Sequence, residues 1–182
     1  MKKIFLRLLL PMLAVVCSLT GHAQALTSED IKAQMVKDWE RAKAYTIDYL
    51  NSMPANKYSF KATDSVRSFA QQMLHLASGN VGLMAAGTDQ KPPFSRRDLE
   101  TSAGAQSKDS VMYFVTTSYD FCISAVKAVD VNKWAEKKKF GPGEETRFSL
   151  MTKTFEHQTH HRGQTTIYIR LVGVKPPNER LF

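Results

Sequence analysis

Apolar side chains recur along this chain at three- and four-residue steps, a spacing that predicts four helices. The first, over Ser28–Met53, puts Ile31, Met35, Trp39, Ala42, Thr46, Leu50 and Met53 on one stripe, with Thr27 as N-cap and Pro54 as stop. The second, over Asp64–Ala86, carries Val66, Phe69, Ala70, Met73, Leu74 and Val81 on its apolar side. Lys108–Val129 forms the third, with Val111, Phe114, Val115, Ser118, Phe121, Cys122, Ala125 and Val129 turned inward. The fourth runs over Thr146–Val172 and stops at Gly173, ahead of Pro176 and Pro177. Asp89–Ser107 is polar and turn-rich and reads as a long connection, and Val131–Glu145, with Gly141-Pro142-Gly143, reads as a loop with one short turn. No run alternates strictly enough for a sheet. The β-branched run Thr165–Ile169 continues the stripe of the fourth helix, so it is read as helix. Four long helices with two long connections predict an all-α four-helix bundle over residues 26–182.

The N-terminus has a different pattern. Lys2, Lys3 and Arg7 precede an apolar run from Leu8 to Val16, broken once by Pro11, and Ala23-Gln24-Ala25 follows in the form that signal peptidase accepts. Residues 1–25 therefore read as a cleavable signal peptide, too short in its apolar part to span a bilayer. The expectation is a periplasmic or secreted protein with no stable membrane anchor after cleavage. Bulky Val16 before Cys17 argues against a lipoprotein.

Cleavage changes the charge balance. The full chain carries +8; losing three basic residues leaves 22 against 17 acids, or +5. Lys137-Lys138-Lys139 is the one dense cluster, and a solvated loop or helix end explains it better than a phosphate-binding patch. With export, a nucleic-acid partner is not expected. Cys122 would be the sole cysteine of the mature chain, set among apolar neighbours, so it reads as a small buried hydrophobe and not a nucleophile.

Candidate chemistry lies in the histidines. His157 and His161 are four apart on a predicted helix, close enough to converge on one metal ion. As bare spacing the pair is suggestive, not specific. Its position adds to it: Leu150, Thr154, His157, His161, Thr165, Tyr168 and Val172 share a stripe, so the pair faces the bundle interior, where unpartnered imidazoles are costly. On the second helix, His75 stands beside Ser68, Gln71, Gln72, Ser78, Gly79 and Gly82, a small and polar face of the kind that walls a pocket. Three histidines from two helices, with one coordination position left over, make a catalytic type of metal site. The competing reading leaves His75 on the surface and the pair as packing.

The run His157-Gln158-Thr159-His160-His161-Arg162-Gly163-Gln164, with Leu171-Val172-Gly173 and Pro176-Pro177 after it, resembles the closing signature of the DinB/YfiT-like family. Ser68–Leu76 resembles that family's second-helix histidine segment. The resemblance implies a four-helix bundle holding a divalent metal, zinc or nickel, through His75, His157 and His161, with His160 outside the ligand set and Arg162 and Gln164 fixing the helix and its loop contacts. It also implies metal-dependent transferases and isomerases that use low-molecular-weight thiols. Export counts against a thiol cosubstrate, since such thiols are mainly cytoplasmic, and metal-activated water acting on an ester or amide is the hydrolytic option. Gln158 stands where H-E-x-x-H proteases carry their glutamate, so a zinc protease of that kind is not expected. Catalytic residues are not identified: Glu156 points off the ligand face, Asp48 and Asp120 are candidate bases without a placement, and Tyr168 lies two turns beyond His161. The small-molecule substrate is not identified either, and a homodimer through a helix face is compatible with the pattern. The competing class is a non-enzymatic metal- or ligand-binding bundle.

Overall fold

The computed structural model describes residues 25–182. The signal-peptide reading falls, except for Ala25, outside those residues. Four helices carry the fold: α1 (Ser28–Ser52), α2 (Phe69–Thr88), α3 (Lys108–Ala128) and α4 (Arg147–Leu171). Each begins where a hydroxyl side chain takes up a free backbone N–H. Thr27 and Ser68 form capping boxes with Asp30 and Gln71, Ser107 caps α3, and Thr146 caps α4. No helix among the described residues is long and apolar enough to cross a membrane.

Two expectations need correction. The second helix starts at Phe69, not near Asp64, because Ser68 supplies the cap and the N–H groups of Phe69 and Ala70 donate to the carbonyls of Phe60 and Tyr58. Val66 thus lies outside the helix and is 37% exposed. The second correction concerns Val131–Glu145. After a short 3-10 turn at Val131–Lys133, the chain forms a ribbon of β1 (Lys137–Phe140) and β2 (Gly143–Thr146), paired antiparallel from Lys137↔Thr146 to Phe140↔Gly143. Its turn is built by Gly141 at φ +57 and Pro142. Lys138 ties the ribbon to Asp89 at the end of α2 at 2.7 Å, and Arg147 joins Asp89 (2.6 Å) and Glu136 (2.8 Å). The lysine cluster is therefore a solvated strand with local ion pairs.

The core runs the length of the bundle. Trp39 meets Tyr119 and Phe155 edge-on at centroid distances of 5.7 and 5.2 Å, and Leu50, Phe69, Met73, Leu74 and Met151 are fully buried in the same core. Cys122 is fully buried, and burial pushes its thiol well above the ordinary range, as its apolar neighbours predicted. A polar seam crosses this core. The Tyr119 hydroxyl donates to Gln158 Oε1 (2.7 Å), which also accepts from Arg162 (3.0 Å), while the Arg162 guanidinium lies over the Tyr45 ring at 4.6 Å. Arg162 thus braces α4 against α1 and not against a loop. The partner of greatest consequence for the site is α2, packed along α4, which sets His75 opposite His157 and His161.

Candidate metal centre

The α2–α4 contact is close because α2 presents glycine where α4 presents an imidazole. A Cβ on Gly79 would lie 2.0 Å from His157 Cε1, far inside any allowed contact. One turn on, a Cβ on Gly82 would lie 2.3 Å from a terminal nitrogen of Arg96. Gly79 follows His75 by four residues and Gly82 follows it by seven, so all three share one face of α2. The small face read from the sequence is a cradle for side chains arriving from elsewhere.

Within that cradle the three imidazoles meet. Ring centroids are 4.5 Å apart for His75–His161, 5.2 Å for His75–His157 and 4.4 Å for His157–His161. Each residue offers one ring nitrogen, and these nitrogens lie within 4.8 Å of one another. Tetrahedral zinc with Zn–N of ~2.05 Å needs donors about 3.4 Å apart, within reach of small side-chain rotations. No fourth histidine, cysteine or carboxylate joins the group among the described residues.

Electrostatics favours neutral rings with free lone pairs. Burial, reinforced by the charges of His75, His160 and Arg67, pushes His157 down to about 4. Burial first, then His157 and His75, pushes His161 down to about 3. His157 Nδ1 is buried with no hydrogen-bond partner. A buried ring nitrogen without a partner is costly unless something completes it. The cradle, the orphan and the all-nitrogen donor set together fit a divalent transition-metal ion.

The surroundings hold the rings in place. Glu100 Oε1 lies 2.6 Å from His75 Nδ1, and its Oε2 accepts from Arg67 Nε at 2.7 Å. Burial raises the Glu100 carboxyl, but the hydrogen bonds from Arg67 and His75 outweigh it and leave it below its usual range. With Nδ1 engaged, His75 has its other nitrogen free for the centre. Gln72 Nε2 lies 2.7 Å from His161 Nδ1 and contacts Gln164, whose Nε2 in turn lies 2.8 Å from His160 Nε2. A side-chain amide turned by 180° presents oxygen in place of nitrogen, so Gln72 suits either tautomer of His161.

The other candidates lie elsewhere. Asp48 pairs with Arg180 (2.9 Å) and Asp120 with Lys43 (2.6 Å), both away from the cluster. Glu156 is exposed, as its angular offset predicted. The Tyr168 hydroxyl donates to the Arg67 carbonyl at 2.9 Å. His160 is exposed and outside the convergent group. Sequence reasoning placed Gln72 on the polar face beside His75 but missed Glu100 and Arg67 as parts of the site. One signal was available for Glu100: its neighbour Leu99 is a lone aliphatic in a polar connection, and it is buried, anchoring that stretch over α2.

Comparison with known proteins agrees with this architecture. A DinB-like protein from Bacillus cereus ATCC 10987 superposes with a TM-score of 0.70 at 16% identity, over 80% of this chain and 95% of that one. A second DinB-like protein, YjoA from Bacillus subtilis, gives 0.57 at 14% identity, over 82% and 96%. No curated protein matches the sequence significantly. The family model described as "DinB family" matches residues 23–180, nearly the whole described chain, and the protein belongs to the DinB family.

Proposed function

We propose that this protein is an exported metal-dependent enzyme in which His75, His157 and His161 hold one divalent ion, zinc or nickel, and that the centre activates a thiol or a water toward a small electrophilic substrate. The observation that carries the reading is the convergence of three imidazoles in a glycine-lined cradle, with one nitrogen left unpartnered. The absence of a fourth protein ligand among the described residues favours a catalytic over a purely structural ion. When bound, the ion supplies a Lewis acid that lowers the pKa of a nucleophile beside it.

The chain's own residues do the positioning. Glu100, held by Arg67, fixes the His75 ring, and Gln72 fixes the His161 ring. Among the described residues Glu100 is the one carboxylate hydrogen-bonded to the cluster, and its two oxygens are engaged by Arg67 and His75. It is thus better suited to holding a histidine than to taking a proton from a nucleophile. Export, read from residues 1–25, favours water over a cytoplasmic thiol as that nucleophile.

A cobalt-loaded sample tests the open position. Titration with 2-mercaptoethanol, and separately with azide, is expected to shift the visible cobalt spectrum by direct coordination. A spectrum unchanged by both would mean a closed site and would defeat the enzymatic reading. Export is tested by placing two lysines within Leu8–Val16, which should keep the chain in the cytoplasm; continued secretion would overturn the signal-peptide assignment.

A further inference from the structure

A groove of about 650 Å³ lies beside the histidine cluster, between the segment that leads into α2 and the outer face of α4. That size suits a small molecule. Val66 and Ile167, 37% and 55% exposed, give one side of it an apolar surface. Arg67 supplies a charge on the other. Its Nε is committed to Glu100, yet neither terminal nitrogen donates to any group among the described residues, and its side chain is 43% exposed. The Tyr168 hydroxyl on the Arg67 carbonyl fixes the backbone from which that guanidinium projects. Gln72 is the wall shared by groove and centre, since it lines the one and touches His161 in the other.

A guanidinium with both terminal nitrogens free matches the planar fork of a carboxylate, and it does so next to apolar surface that a neutral polar ligand would not use. We propose that this groove is the substrate-recognition site, and that it takes a small carboxylate with an apolar body, its carboxylate on the outer edge of Arg67 and its body between Val66 and Ile167. The link to reaction rests on the metal-centre reading above. The binding itself does not, because Glu100 and Tyr168 hold Arg67 without a metal.

The test is a calorimetric titration of metal-free and zinc-loaded protein with 4-phenylbutyrate and, as neutral control, 4-phenylbutyramide. Both forms of the wild type should bind the acid saturably and the amide at least ten-fold more weakly. Ile167→Glu alters an exposed position and should weaken the acid at least ten-fold, while Arg67→Gln in the metal-free form should abolish the preference for acid over amide. Equal binding of acid and amide by the wild type, or no saturable binding of the acid, overturns the proposal. So does binding confined to the zinc-loaded form and indifferent to Ile167→Glu, which would mean direct ligation of the ion. Zinc uptake measured on the same protein separates the two readings: zinc uptake without acid binding keeps the centre and removes the groove, and acid binding by protein that takes up no zinc when it is supplied does the reverse.

Discussion

Gly79→Ala isolates the metal centre with one methyl group. The new Cβ would lie 2.0 Å from His157 Cε1 and 2.5 Å from Nδ1. Carbon atoms in contact settle at about 3.5–4.0 Å, so the imidazole must retreat by roughly 1.5 Å or swing out of its cradle. Metal–ligand distances tolerate about 0.2 Å, so a displacement of that size removes His157 as a ligand. Perturbing only the groups behind a ligand costs 10–100-fold in metal affinity, and losing the ligand should cost at least about 100-fold. The helix itself gains: alanine in place of glycine inside a helix is worth up to about 1 kcal/mol. The variant should therefore fold, with metal-free stability within about 1 kcal/mol of wild type on that account. Competition for zinc against a chromophoric chelator, with urea unfolding of the metal-free protein, reads both quantities. Gly163→Ala is the control, because nothing lies within 4 Å of its added Cβ; it should leave zinc affinity unchanged. A folded Gly79→Ala protein that binds zinc as tightly as wild type would refute the role of the cradle and the place of His157 in the centre.

Glu100→Gln keeps the shape but removes the charge that orients His75, and should weaken zinc binding 10–100-fold by the same chelator assay, with no change if Glu100 is merely a surface ion pair. Metal-free protein should lose stability on acidification. His157 and His161 titrate at about 4 and 3 when folded, below the ordinary value near 6.5, so the unfolded chain takes up protons first. Their contribution is complete above pH 6.5 and is lost as pH falls toward 4, at about 1 kcal/mol per pH unit after discounting for partial solvent exposure. Urea midpoints that stay flat between pH 6.5 and 5 would contradict this, and the double variant His157→Asn/His161→Asn should flatten the wild-type slope. Arg162→Ala removes one of the two hydrogen bonds to Gln158 Oε1 and empties space over Tyr45, and should cost about 2–3 kcal/mol in urea unfolding while one zinc per chain is retained.

Much of the helical frame was legible in the sequence, for a physical reason. Thr27 and Thr146 stand directly ahead of long amphipathic stripes, and both cap in the structure. The start of α2 was harder, since Asp64 to Arg67 has turn composition that an apolar Val66 disguises, and the first turn is set by the Ser68–Gln71 box. The hairpin escaped because four-residue strands are too short for alternation to stand out, and the ribbon is tied to the bundle by Lys138 on Asp89, a distant partner that periodicity does not encode. The site divided along similar lines. His157 and His161 sit on one stripe at helical spacing, and His75 sits on a small, polar face that read as the wall of a pocket, while the close approach of His157 to Gly79 emerges only in the packed helices. Glu100 and Arg67 belong to irregular segments, where no period links a residue to its neighbours in space, and the groove beside Gln72 exists only once α2 and α4 are packed.

Metal content per chain tests the central claim most directly. Protein purified without chelators or a histidine tag should carry about one zinc or nickel ion per chain by elemental analysis. His75→Ala, His157→Ala and His161→Ala should each lose it, and His160→Ala, outside the convergent group, should keep it. Wild-type protein that holds no metal and takes up none when divalent ions are supplied would contradict the account, as would equal loss in all four variants.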